Sequence, residues 1–125
     1  MRKQSKAPIS KIQRDIWQEI KRIVRRDQPN ECYTCRRKGL EGANWHVGHL
    51  WAKASLSAYL KYDLRVLKSQ CYHCNINLGG AGADFYKRML KEEGKPFMEL
   101  LERDRQKSVK AYDFYVELLE YYKSI

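Results

Sequence analysis

The sequence lacks the apolar segments of a membrane or secreted protein. No apolar run approaches the length needed to span a bilayer, and the first ten residues, MRKQSKAPIS, contain no apolar signal region. Cysteine is scarce, and its four residues occur only as two C-x-x-C pairs. Such pairs bind metal more often than they form disulfides in a reducing compartment, so we expect a cytoplasmic protein without a membrane partner.

Acidic residues are few relative to basic ones. The chain has 15 Asp and Glu against 25 Lys and Arg, which gives a formal net charge of +10, and residues 1–38 carry 12 basic and 4 acidic residues of these totals. A solvated basic face is the usual explanation of a charge run. Here the run continues into the cysteine motif CYTCRRK, which favours a nucleic-acid partner. A membrane surface is not favoured, because the basic segment lacks a wide apolar face.

The length of 125 residues suits a single domain with a small core. We predict four parts, namely a basic arm at 1–8, a helix at 9–27, an irregular cysteine-bound centre at 31–93, and helices over 95–125. Within the centre, ANWHVGHLW favours a strand and SLSAYLKYD a short helix.

Helix ends are predicted from local signals. Ser10 suits the N-cap of the first helix, and Pro29 lies just beyond its end. Asp84 suits the N-cap of a helix that Gly94 terminates, and Pro96 suits the first turn of the next. A last helix is predicted over about 104–123.

The two cysteine pairs predict a metal centre. Cys32 and Cys35 precede Cys71 and Cys74 by 35 intervening residues, and each pair can place two thiolates on one tight turn. Four thiolates suit a closed tetrahedral zinc site. An iron–sulfur centre is the chemical alternative, which a colourless purified protein would exclude.

Two of the three histidines, His46 and His49, lie between these pairs. They could be extra zinc ligands, packed or surface imidazoles, or catalytic groups. A zinc ion with four cysteine ligands needs neither of them. The third, His73, lies inside CYHC, where side chains between ligands usually point outward, so we assign it no role.

In order, these motifs resemble the HNH (ββα-metal, or His-Me finger) endonucleases, and most closely the phage NinG/Rap recombination nucleases. The similarity covers about residues 32–86 and rests on CYTC, HVGH, QCYHCN, LGG and FY. The resemblance implies an α+β fold, in which flanking helices enclose a small zinc-stapled ββα-metal core. It implies a metal-dependent DNA endonuclease that acts on branched recombination intermediates, with His49 as general base and Asn75 as ligand of a catalytic Mg²⁺ or Mn²⁺.

Two positions depart from the HNH pattern. Many HNH enzymes carry an acidic metal ligand directly before the base, and here that position is Gly48. His46 is therefore our candidate for a second ligand or for an orienting residue. The middle asparagine of the motif, which orients the loop and the base, falls at Val66, so its absence weakens positioning more than it removes chemistry.

Phosphate contacts are expected from basic residues near the motifs. The candidates are Arg36, Arg37, Lys38, Lys53 and Lys68.

Two other functions remain open, namely a non-catalytic zinc-stabilised nucleic-acid-binding module and a protein adaptor that uses the tyrosine-rich C-terminal helices. A homodimer through the last helix also remains open, because a four-way junction offers two symmetric cleavage positions. A phage-encoded chain would work in the host cytoplasm.

Overall fold

The computed structural model describes residues 7–125, so most of the predicted basic arm lies outside the described residues. Within these residues, five helices and two strands form a mixed α+β fold, which confirms the predicted class. In chain order they are α1 (Ile9–Asp27), β1 (His46–His49), α2 (Ala58–Lys61), β2 (Leu67–Gln70), α3 (Gly82–Glu93), α4 (Lys95–Asp104) and α5 (Ala111–Ser124). Short 3-10 turns lie at Gly42–Asn44, Lys53–Ser55 and Leu64–Val66, and a π-helical turn at His73–Asn77.

The first helix follows the predicted apolar spacing. Its buried side chains recur every three or four residues, and they are Ile12, Ile16, Ile20, Ile23 and Val24. The helix ends at Asp27, before Pro29, as predicted. The predicted cap at Ser10 is wrong, because Pro8 is already the N-cap and its carbonyl accepts the N–H groups of Lys11 and Ile12.

The two strands form an antiparallel pair in which His46 lies opposite Gln70 and His49 opposite Leu67. The predicted strand in ANWHVGHLW is confirmed for its inner four residues. The second strand was not predicted, because its sequence LKSQ is short and polar. It forms where Val47 and Leu67 both enter the core.

The helices after Gly82 confirm some predicted boundaries and correct others. Gly94 ends α3 with a positive φ of 87°, and Pro96 lies in the first turn of α4. The cap at Asp84 is wrong, since α3 begins at Gly82 and Asp84 falls in its first turn. The last helix does not begin near residue 104. There Asp104 is buried and pairs with Arg65 at 2.9 Å, so the chain turns before α5 begins.

The first and last helices pack together over the core. Arg22 and Arg26 donate to the carbonyls of Tyr122 and Ile125 at 2.9 and 2.7 Å. Tyr115 and Tyr122 of α5 are buried in the chain's own core, so neither is available to a dimer interface. Within residues 7–125, no helix is long and apolar enough to cross a membrane.

Candidate metal centre and active site

The four predicted cysteines come together at one point. The Sγ atoms of Cys32, Cys35, Cys71 and Cys74 all lie within 4.8 Å of one another, and those of Cys35 and Cys71 are 3.7 Å apart. Four sulfurs that bind zinc at about 2.3 Å in a tetrahedron are separated by about 3.8 Å. The quartet could therefore hold a structural zinc ion.

Each pair forms a tight knuckle in which a backbone N–H faces a ligand sulfur. The Cys35 N–H donates to Cys32 Sγ at 3.5 Å, and the Cys74 N–H donates to Cys71 Sγ at 3.4 Å. Burial raises the pKa of the Cys74 thiol to about 12, because a thiolate there loses hydration. A bound divalent cation would offset this cost, since it stabilises the thiolate form.

His49 lies at the end of β1, and its ring has one defined hydrogen bond. Nε2 is 2.8 Å from the carbonyl oxygen of Lys61. A carbonyl only accepts, so Nε2 carries the proton and Nδ1 keeps its lone pair. The Lys61 carbonyl therefore orients the ring.

Val66, which stands where the motif has an asparagine, is buried, and its carbonyl accepts the N–H of Leu50.

The indole of Trp17 covers the His49 ring. The two rings are parallel within 3°, with centroids 5.6 Å apart. Burial lowers the pKa of His49 to about 4, and the nearby charges of Lys53 and Lys61 act in the same direction. The imidazole is therefore neutral at pH 7. Nothing in the sequence relates Trp17 to a histidine 32 positions away.

His46 holds Asn75 in place. Asn75 Nδ2 donates to His46 Nδ1 at 2.9 Å, and His46 Nε2 donates to the Ala43 carbonyl at 2.9 Å. Both ring nitrogens are thus engaged, which in this arrangement favours the orienting role of His46 over the ligand role. Asn75 Oδ1 has no protein partner among the described residues and remains an acceptor.

Gln70 explains why residue 48 is a glycine. A Cβ atom at Gly48 would lie 1.7 Å from Gln70 Oε1, so an acid cannot occupy this position without displacing Gln70. Gln70 is fully buried, and its Nε2 donates to Thr34 Oγ1 at 3.0 Å and to the Gly80 carbonyl at 2.9 Å. Its Oε1 is buried without a hydrogen-bond partner. The Gln70 side chain therefore connects the first knuckle, through Thr34, with the loop at Gly80, and it also packs against Gly48 of β1.

His46, His49 and Asn75 line one open cleft of about 540 Å³. The turn at Lys53–Ser55, the indoles of Trp17 and Trp51, and the Gly79–Gly80 loop form its other walls. Its lining contains no Asp or Glu. The cleft thus presents a neutral histidine, a free amide oxygen and a lysine in surroundings that suit an anion.

The structure separates the predicted DNA-binding residues into two groups. Lys53 lines the cleft, and its Nζ lies 5.1 Å from the centre of the Trp17 ring. The other four predicted cations do not line the cleft: Arg36, Arg37 and Lys38 are exposed on the first knuckle, and Lys68 lies over the Tyr33 ring.

A second hollow adds basic residues that the sequence motifs did not indicate. Lys87, Arg88 and Lys91 of α3 line it beside Arg36, and Asp84 is its one acidic member. Helical spacing could have grouped the α3 cations on one face. Their proximity to the first knuckle depends on the tertiary fold.

Comparison with known proteins identifies a family. A family model described as "Bacteriophage Lambda NinG protein" matches residues 1–124. Neither the curated proteins nor the solved structures include a match.

Proposed function

The chain belongs to the NinG family of phage lambda, a recombination-related family, and from this premise we propose that it is a metal-dependent DNA endonuclease for branched recombination intermediates. The single observation that carries the proposal is the cleft that His49 and Asn75 share. On this proposal, the two strands and the turn at His73–Asn77 form an HNH-type core. The zinc ion would have a structural role, and its ligand Cys74 directly precedes Asn75 in the chain.

His49 has the protonation state that a general base needs. Its Nε2–H is bound to the Lys61 carbonyl, which leaves Nδ1 to accept a proton from water at neutral pH. The phosphate of bound DNA would raise the low pKa of His49 toward neutrality, because a nearby anion favours the imidazolium form. Bound DNA would therefore stabilise the imidazolium form of His49 that results when the histidine accepts a proton from water.

Asn75 offers one oxygen ligand to a hard divalent cation. Its Oδ1 atom is free, whereas the unpaired Oε1 of Gln70 is buried and does not line the cleft. Oxygen ligands suit Mg²⁺ and Mn²⁺. Asn75 would hold the ion, and His46 would keep the amide in the orientation that presents Oδ1. When bound, the ion supplies positive charge that stabilises the scissile phosphate and the departing oxygen.

Lysine and arginine would supply most of the affinity for DNA, because contacts to phosphates dominate binding and carry no sequence information. Lys53 would contact the strand in the cleft. The hollow formed by Arg36, Lys87, Arg88 and Lys91 would contact a second arm of the substrate. None of these contacts reads base identity, which favours recognition of DNA shape over a fixed sequence.

The decisive experiment compares wild type with His49→Ala on duplex, single-stranded and branched DNA in Mg²⁺ or Mn²⁺. Asn75→Ala tests the proposed ligand, and His73→Ala is the matched control because His73 is exposed on the same knuckle. We expect cleavage by wild type and His73→Ala, and a loss of about 10²-fold or more in His49→Ala. A His49→Ala variant that cuts as well as wild type would refute the mechanism.

A non-catalytic nucleic-acid-binding module is the second candidate. It is favoured by Gly48, which removes the usual acidic ligand, and by the buried Val66 at the asparagine position. Salt-dependent binding without cleavage in any divalent ion would support this function in place of the first.

A further inference from the structure

Exposed apolar side chains are concentrated beside the cleft. Eight large hydrophobic side chains are exposed in the described chain, and three of them lie within residues 72–78. They are Tyr72, Ile76 and Leu78, which are 48%, 49% and 53% exposed. Single exposed hydrophobic residues are common, whereas a local cluster indicates a contact surface. We call these three residues the knuckle tip.

The backbone of the knuckle tip is held by hydrogen bonds within its own segment. The N–H of Asn75 donates to the Cys71 carbonyl at 3.0 Å, and the N–H of Leu78 donates to the His73 carbonyl at 2.9 Å. The N–H of Gly80 closes the loop on the Cys74 carbonyl at 2.9 Å. A preformed surface loses little conformational entropy when a ligand binds. The tip is therefore suited to contact a ligand as it stands.

The knuckle tip lies next to the catalytic candidates. Ile76 lines the cleft together with His49 and Asn75. The Tyr72 ring meets His46 edge-on, with centroids 5.5 Å apart. A ligand in the cleft would therefore reach the tip within the length of a nucleotide or two.

The charge of the cleft indicates what kind of ligand could contact both the cleft and the tip. The cleft contains Lys53 and no Asp or Glu, so its charge favours a ligand that carries phosphate. The tip requires that the same occupant offer an apolar face. An unpaired nucleotide has both properties, because its phosphate is charged and its base has an apolar π-face. In duplex DNA these faces are stacked inside the helix, and a branch point exposes them.

We propose that the knuckle tip packs against unstacked bases at a DNA branch point and so selects branched over uniform duplex DNA. This inference rests on the proposed function, because it assumes DNA in the cleft. Proteins that kink or open DNA insert apolar side chains at base steps in a comparable way. Tyr72 supplies a flat ring for stacking, and Ile76 and Leu78 supply aliphatic contacts.

The test measures the ratio of affinities for a three-way branch and for a duplex of the same sequence. The full zinc-loaded chain is used without added divalent ion, and 2-aminopurine at the branch reports base unstacking by fluorescence. The tip variant is Tyr72→Ala with Ile76→Ser and Leu78→Ser. The control is Leu90→Ser with Leu100→Ser, two side chains that are 39% exposed on α3 and α4.

We expect wild type and the control to prefer the branch and to raise 2-aminopurine fluorescence. The tip variant should lose roughly tenfold or more of this preference, since one stacked base contributes on that order. Zinc content and circular dichroism establish that the variant is folded.

Three results would overturn the inference. The first is an equal loss on branch and duplex, and the second is an equal effect of the control. The third is a change of sedimentation that shows the tip to be a protein interface. A different result would contradict only the proposed function. In that case, wild type binds branched DNA through the tip but cuts no DNA in Mg²⁺ or Mn²⁺.

Discussion

The shielding of His49 predicts how the protein responds to acid. The Trp17 ring lies parallel to the imidazole, and burial lowers the pKa of His49 to about 4. In the unfolded chain the same group has a pKa near 6.5. As the pH falls below 6.5, the unfolded chain therefore binds a proton that the folded chain does not. Stability from the neutral His49 is present above about pH 6.5 and is lost between there and about pH 4.

The magnitude follows from the two pKa values. Each pKa unit corresponds to about 1.4 kcal/mol, so the full loss is about 3 kcal/mol below pH 4. Between pH 7 and pH 5 the loss is about 2 kcal/mol. His49→Gln removes the titrating group, so its free energy of unfolding should fall less than that of wild type over this interval. Comparing the two proteins cancels the protons that the cysteines take up, because both contain the same metal centre.

Two measurements check this prediction. Urea unfolding of wild type and His49→Gln at pH 7 and pH 5 gives the difference in stability. Long-range ¹H–¹⁵N NMR of the zinc-loaded protein gives the pKa and tautomer of His49, with the exposed His73 as internal comparison. We expect the Nε2–H tautomer at pH 7. A pKa near 6.5 would refute the shielding of the ring. A proton on Nδ1 at pH 7 would refute the role of Nδ1 as base.

Three further predictions concern the metal, the glycine before the base and the cleft lysine. Chelation of zinc, or Cys74→Ser, should unfold the knuckles, since metal binding contributes folding energy; circular dichroism that is unchanged by chelation would contradict this. Gly48→Ala should cost about 1–3 kcal/mol in urea unfolding, and adding Gln70→Ala should recover much of that loss because it removes the clash; additive losses would contradict the proposed contact. Lys53→Ala should reduce the slope of log K against log salt by about one for DNA binding, and an unchanged slope would place Lys53 away from phosphate.

The cysteine quartet could be predicted because ligand spacing is a local property. Two residues between cysteines place both thiols on one turn, and this requires no knowledge of the rest of the fold. The end of α1 before Pro29 and the end of α3 at Gly94 were predictable for the same reason. Each depends on the conformation that a single residue type permits.

The environment of the histidines could not be predicted, because it depends on contacts between distant segments. Trp17 reaches His49 from a separate helix, and the carbonyl that orients the ring belongs to Lys61. Backbone carbonyls leave no signature in a sequence. The sequence indicates Gln70 only as the first residue of QCYHCN. Its burial against Gly48 depends on the register of the two strands, which the sequence does not reveal.

The stack of Trp17 on His49 also makes the site depend on two separate parts of the fold. The cysteine quartet joins segments between residues 32 and 74, whereas the shielded histidine requires α1, which packs against α5 at the other end of the described chain. A chain that has closed its metal centre but has not yet docked its outer helices would carry a solvated histidine with an ordinary affinity for protons. The metal centre and the shielded base thus have separate structural requirements, and the second is met only when the two ends of the described chain pack together.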